Sequence, residues 1–325
     1  IGLFGLFEGD PLWFFFGIED GVVAGGVDLD LSSIQFSGVK AKAAPEHLFP
    51  PSMGLSTHHL HVAPPEASGS AQDPPRPAGH GFARLTLARS GTVRWAGRLG
   101  DSRSFSGSSS GGWLNPQDLW MFPLHHAFYN SRGVFQGWLA AVPENQISFA
   151  GEMDWHKEVV QPSARDRYYP SGFTSLKVLA SASQYLIPPT TDLLLGWPKP
   201  ASPESTTFSL DSDAWAEPSS ETWTTTLSAS GRHQWTSVDD APWLFLSGQL
   251  TSRTGRYSGR GLRTDTAPTT SASAIPRSAT FEGLWIPHLD AILGHNKIML
   301  QPENSSSNKI LPPFSVGPIV IHRNP

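Results

Sequence analysis

Aromatic residues followed two places later by glycine recur along this chain, and they fall on one parity of alternating apolar runs. Val93, Trp95, Gly97 and Leu99 occupy every second position of one run. Ile147, Phe149, Gly151, Met153 and Trp155 do the same in another. A period of two places each set on one face of a β-strand. Arg94, Ala96 and Arg98, and likewise Ser148, Ala150, Glu152 and Asp154, fall on the opposite, wetter face. The scheme returns at Phe135-Gly137-Leu139, at Leu244-Leu246-Gly248-Leu250 and at Phe281-Gly283-Trp285. A shorter form stands at Phe36-Ser37-Gly38, Phe105-Ser106-Gly107 and Tyr257-Ser258-Gly259.

Glycine on the apolar face of a strand weakens it unless something uses the gap. A ring from the next strand can lie over the bare backbone, and glycine permits the coiling that closes a sheet. The pattern therefore predicts an all-β, antiparallel, hairpin-rich fold with negligible helix, either a barrel or a strongly curved two-sheet domain. Its structural positions are Trp95, Gly97, Phe135, Gly137, Phe149, Gly151, Gly248, Phe281 and Gly283, with the glycines expected under rings.

Composition agrees. The 325 residues include 12 Trp, 31 Gly and 29 Pro, and only 16% are charged, against roughly 25% in typical soluble domains. A net charge of −5 gives no sign of a nucleic-acid partner. The absence of cysteine excludes disulfides, thiolate zinc sites and cysteine nucleophiles. Leu12-Trp13-Phe14-Phe15-Phe16 is too short to span a bilayer and reads as a buried strand, so no membrane-spanning segment is expected. The first residue, Ile1, fits a processed form or a fragment.

Three regions are expected. Residues 1–40 supply N-terminal strands, residues 41–79 a proline-rich loop with one strand, and residues 80–325 the main antiparallel β domain, continuous with 1–40. Arg89-Ser90-Gly91 and Gly100-Asp101-Ser102 read as hairpin turns, and Ser252-Arg253-Thr254-Gly255 as another. Pro116 and Pro123 forbid a long helix over 113–130. Ile319–Ile321 reads as the closing strand, after a Thr/Ser/Ala/Pro-rich stretch over 264–277.

Sites are sparse. Within Thr57-His58-His59-Leu60-His61-Val62, parity turns Leu60 and Val62 inward and His59 and His61 outward. Two imidazoles at this spacing suit a metal, but the sequence places no third ligand, and a surface strand bearing histidines is the favoured reading. Asp28 and Asp30 share a strand face, as a calcium pair or, preferred, as solvated charges. Asp101, Glu152 and Asp154 are the nearest approach to a carboxylate pair for glycoside hydrolysis, which needs two carboxyl groups about 5–9 Å apart. No nucleophile elbow, phosphate loop or zinc-protease spacing occurs, so no catalytic residue, metal ligand or cofactor is assigned. Trp113, Trp120, Tyr168 and Tyr169 fall in turn-like stretches and are the candidates for stacking on sugars, or else for sealing the ends of a barrel. Arg253, Arg256, Arg260 and Arg263 make a basic hairpin, and Asn304-Ser305-Ser306 is a formal glycosylation sequon.

The stretch GHGFARLTLARSGTVRWAGRLGDSRSFSG, from Gly79 to Gly107, resembles a repeated segment, GxGxxxLxVxxxGxVxxxGxLxDGxxFS, of large exported, autotransporter-like surface proteins of Verrucomicrobia-type bacteria. PLHHAFYNSRGVFQGWL, from Pro123 to Leu139, is similar to the PLYxxLYxxxGxxxGWL segment that follows it there. FAGEMDWHK (Phe149 to Lys157), YPSGF (Tyr169 to Phe173) and Phe281-Glu282-Gly283 are similar to later ones. Ser102-Arg103 and His125-His126 depart from the pattern. The resemblance implies export and an extracellular or cell-surface setting, and it carries no catalytic residues. The expectation is a non-catalytic structural or surface-attachment module, possible partners being other copies of itself or surface polysaccharide. A carbohydrate-binding module is the alternative, and a glycosidase comes third.

Overall fold

In the computed structural model the described residues are 2–7, 10–19, 22–29, 32–39, 42–49, 54–65, 76–114, 119–142, 147–159, 169, 172–194, 197–199, 204–211, 220–228, 230–236, 243–264, 276–299 and 314–322. In the strands at 2–39, 197–198, 204–227 and 233–246, and at a few other strand positions, the description extends to the backbone alone. They form antiparallel strands joined by turns and three short 3₁₀ segments, as the alternating pattern predicts.

The strands fall into separate sheets. β1 (Gly2–Phe7), β2 (Asp10–Glu19), β3 (Val22–Leu29) and β4 (Ser32–Val39) make a four-stranded meander.

The second sheet contains β5 (Leu55–Val62), β6 (Gly81–Ala88), β7 (Thr92–Arg98), β8 (Ser104–Ser110), β9 (Gly112–Leu114), β10 (Leu119–Phe128), β11 (Gly133–Ala141), β12 (Phe149–Lys157) and β13 (Phe173–Gln184). Its order, β8-β7-β6-β5-β13-β12-β11-β10-β9, rolls the sheet almost into a barrel. At the seam β8 lies beside β10 without a ladder, and the His126 imidazole bonds the Ser106 carbonyl at 2.9 Å. Pro123 sits just past the short β9 pairing, which covers Leu119 to Met121. Proline, lacking an N–H, is tolerated at such an edge.

A small pair, β14 (Asp192–Leu194) and β15 (Trp197–Pro198), leads to the third large sheet. This comprises β16 (Glu204–Asp211), β17 (Ser220–Leu227), β18 (Arg232–Thr236), β19 (Trp243–Thr251), β20 (Arg256–Thr264), β21 (Pro276–Ile286), β22 (Ala291–Met299) and β23 (Phe314–His322). It is a closed eight-stranded barrel: β23 pairs with β22 along its length and returns to β16 through Val320 and Ser209. The expected closing strand at 319–321 falls in the C-terminal half of β23. Sheet connectivity thus divides the stretch expected as one domain over 80–325, and it recruits the strand of the proline-rich region, β5, into the first barrel.

A barrel of about eight strands is just wide enough for its own side chains to fill it, and rings fill the nearly closed nine-stranded sheet. Phe105 meets Phe135 edge-on, with centroids 5.7 Å apart, and Trp155 packs its edge between Phe135 at 6.3 Å and Phe173 at 5.3 Å. Phe122 and Phe149 are perpendicular at 5.3 Å, with Trp120 against both. Edge-to-face pairs of this kind contribute about 0.5–1.5 kcal/mol each beyond burial. Trp95, Phe135, Phe149 and Phe281 are all buried, as their parity requires.

The glycines are used in two ways. Trp95 stands opposite Gly107 across the β7–β8 ladder and lays its ring over it; a Cβ on Gly107 would come 2.5 Å from Trp95 Cζ2. Tyr257 covers Gly248, Trp120 covers Gly111, and Tyr129 covers Gly133. Gly97, Gly137, Gly151 and Gly283, expected under rings, are used differently. Neighbouring strands bring backbone close to them: the Phe82 carbonyl at Gly97, Glu152 at Gly137, Trp138 at Gly151, and Leu293 beside Ile292 at Gly283. The bare Cα there admits the next strand's main chain, as tight coiling of a sheet requires.

Both uses predict overpacking on substitution. Gly107→Val, against a ring, and Gly97→Val, against a carbonyl, should each destabilise the fold by about 1–3 kcal/mol. Gly54, with open space where a Cβ would stand, serves as the control; Gly54→Ala should stay within about 0.5 kcal/mol. Thermal unfolding of the three variants checks this.

Candidate functional site: a histidine-lined junction between two barrels

β5 runs with two unlike faces. Leu60 and Val62 point into the first barrel, as parity predicts, and so does His58, whose ring meets Phe149 edge-on at 4.9 Å and whose Nε2 pairs with Ser56 Oγ at 2.9 Å. His59 and His61 point the other way. The expectation of a water-facing strand fails here, because the outer face of the first barrel is covered by the second. Phe82, on the outer face of β6, packs with Leu284 and Ile286 of β21 and with Ala291 and Leu293 of β22. These alternate with the residues that fill the second barrel, among them Phe281, Trp285 and Ile292. The second barrel therefore buries both faces of β21 and β22 at this point.

Polar groups surround that apolar patch. The His59 ring stacks on Tyr185 at 4.1 Å, and its Nδ1–H donates to the Trp285 carbonyl at 2.6 Å. The Tyr185 hydroxyl in turn donates to the Ser252 carbonyl. His61 Nε2 and His80 Nδ1 bond each other at 2.9 Å, and the His80 backbone N–H donates to the Gly294 carbonyl at 3.1 Å. His295 is buried against Phe82, with ring centroids 5.7 Å apart. His288 spans Ser181 Oγ and Ser183 Oγ, each at 3.0 Å. At the rim, Arg98 Nε reaches Glu282 at 2.5 Å, and Arg256 shares that carboxylate at 3.5 Å. Burial pushes His59, His61 and His295 down to about 3 and His80 down to about 4, so all four imidazoles are neutral at neutral pH.

The two serines that meet His288 lie on β13. Ser181 sits mid-sheet, paired with Ala150 on one side and His61 on the other. The strand's amides are committed to ladders and are not free to act as oxyanion donors. Nor do the histidines gather a metal: among the described residues no group of three or more His, Cys, Asp or Glu is so arranged.

A second buried polar cluster closes one end of the first barrel. Asp101 is fully buried and accepts from the Tyr129 hydroxyl and from the Arg103 backbone N–H at 3.0 Å. Burial pushes its carboxyl up, and these hydrogen bonds draw it partly back. Lys157, also buried, lies 4.8 Å from the centroid of the Tyr129 ring and donates to the Tyr169 carbonyl at 3.0 Å. Tyr129, Asn130 and Ser131 hold φ of 53°, 58° and 67°, a left-handed turn that costs roughly 1–2 kcal/mol per residue. That turn brings the tyrosine over Gly133 and onto Asp101. The pairing was not legible in the sequence; the only signal was the improbable Tyr-Asn-Ser turn before Gly133.

The three carboxylates considered for glycoside hydrolysis are not brought together. Glu152 and Asp154 lie on the outer face of β12, where Lys177 pairs with both at 3.3 and 2.8 Å, while Asp101 is inside. Of the sugar-stacking candidates, Trp120 is sealed in the core, with its indole N–H directed at the Lys42 carbonyl at 3.4 Å, and it offers no face to a ligand. Trp113 and Tyr169 are partly buried against the same core. Tyr168 and the Asn304 sequon lie outside the described residues, as do the side chains of Asp28, Asp30 and Arg263. Arg253, Arg256 and Arg260 are exposed on the β19–β20 hairpin, with Glu282 partnering Arg256. Among the described residues no helix is long and apolar enough to cross a membrane.

Removing the phenol donor tests the cluster at the barrel end. Tyr129→Phe keeps the ring over Gly133 but leaves Asp101 short of a partner; it should cost about 1–3 kcal/mol in denaturant unfolding, with unchanged circular dichroism at rest.

Comparison of the chain with protein-family models, with curated proteins and with solved structures gives no match.

Proposed function

We propose that this chain is a non-catalytic structural or surface-attachment module, exported to the cell surface or beyond, whose partners are other copies of itself or surface polysaccharide. The observation that carries this reading is where the buried polar groups point. In the two clusters described, the groups engage one another, a backbone carbonyl or a packed ring. No pair of carboxylates is left facing a cleft among the candidates. The body of the first barrel is ring-filled, which suits a load-bearing spacer.

Its outer surface supports an aqueous setting. Arg94, Glu152 and Lys177 are exposed on strands whose other face is apolar. A lipid-facing barrel has the reverse arrangement, apolar outward and polar within. Edge strands supply backbone groups through which copies could associate; among the described residues β1 and β4 are the outer strands of the meander.

The competing carbohydrate-binding reading rests on Trp113 and Tyr169, which keep part of their surface in water. Two measurements separate them. Light scattering and electron microscopy of the native protein should show concentration-dependent assembly. Titration with a broad panel of polysaccharides should leave tryptophan fluorescence unquenched. Quenching that is lost in Trp113→Ala, without assembly at any concentration, would replace the structural reading with the binding one.

A further inference from the structure

The junction between the barrels joins an apolar patch to imidazoles, and its geometry leaves little room for added protons on them. The 2.9 Å contact of His61 Nε2 with His80 Nδ1 requires a lone pair on one ring; two imidazolium ions present two N–H groups to each other and repel. His59 already spends its Nδ1–H on the Trp285 carbonyl, and its buried Nε2 meets no acceptor. His295 Nδ1 is buried in the same condition. A proton added at His59 Nε2 or His295 Nδ1 becomes a buried charge without a hydrogen-bond partner, which is costly, and the His61–His80 pair can take up one proton but not two without losing its bond.

We propose that the junction is an acid-sensitive joint, which holds the two barrels together while its imidazoles are neutral and releases them when those imidazoles take up protons. The charges around it reinforce the sense of the effect. Arg84 opposes a charge on His59, and Arg98 and Lys297 oppose one on His295. The carboxylate of Glu282 is already shared by Arg98 and Arg256. His288 has two serine hydroxyls that can accept from it, yet burial lowers it as well, and a charge there opposes one on His61. His58 lies on the inner face of β5 and would be exposed only by unfolding of the first barrel itself.

The direction of the pH dependence follows. These histidines titrate at about 3 to 4 when buried and near 6.5 when free. The closed state's advantage is complete above about 6.5 and is lost as pH falls toward 3–4, because the open state binds the extra protons. If all four imidazoles are freed together, the opening constant rises by up to about 10,000-fold per pH unit inside that window.

Small-angle scattering with hydrogen exchange on the whole chain, from about pH 7.5 to about pH 4.5, tests the proposal. The radius of gyration should rise reversibly and the His80 amide should lose protection, while the β11–β12 and β21–β22 ladders stay protected. The doubly substituted His61→Gln, His80→Gln chain, which keeps hydrogen-bonding groups that do not titrate, should open at lower pH. Dimensions unchanged through the range would overturn the proposal, as would loss of both barrels' ladders at the same pH as the joint. If the double variant fails to fold at neutral pH, the native chain's scattering and exchange still decide.

Discussion

Close approach of strands over bare backbone is the constraint on which the rest of the molecule depends. A sheet that curls tightly into a barrel must bring main chains and rings nearer than a Cβ allows at some positions. In the first barrel those positions lie at Gly97, Gly107, Gly137 and Gly151, and in the second at Gly248, Gly283 and Gly294. Where the neighbour is a ring, the glycine also lets an aromatic side chain lie flat across the inner surface, so that curvature and core filling are met by the same residue pair. Trp95 with Gly107 is the plainest case.

Curvature in turn makes the outer face available for a second purpose. Once Leu60, Val62, Ala83 and Leu85 turn into the first barrel, the alternate residues His59, His61, Phe82 and Arg84 project outward. The second barrel does likewise with Leu284, Ile286, Leu293 and His295 around its own inner row. The junction is built from these outer rows, and its polar members are met by backbone carbonyls, by hydroxyls and by one another. Imidazole suits this role because a neutral ring can both donate and accept, and its aromatic face packs as an apolar group would.

Parity and its consequences were legible in the sequence: the strands, the hairpin turns at 89–91 and 100–102, the inward rings, and the outward direction of His59 and His61. What covers an outward residue was not legible. A period of two assigns a face, and no local pattern says that a barrel more than a hundred residues later will lie against it. For the same reason the ring expected over Gly97 proved to be a carbonyl, since alternation identifies a gap but not the neighbour that uses it. Asp101 read as a hairpin-turn residue and a candidate catalytic carboxylate, because its partner, Tyr129, reaches it from a left-handed turn on the far side of the seam. Trp120 stood in a turn-like stretch, as a stacking residue or a seal for a barrel end, and Gly111 admits its ring to the core.

The Trp95 ring lying over Gly107 is the sharpest place to test ring packing over bare backbone. Selective glycine labelling followed by proton–carbon NMR reads this from the Gly107 α-protons, which the indole ring current should shift well upfield of ordinary strand values, an effect that vanishes in Trp95→Leu. Gly107 α-protons at ordinary strand positions, unmoved by that substitution, would contradict it.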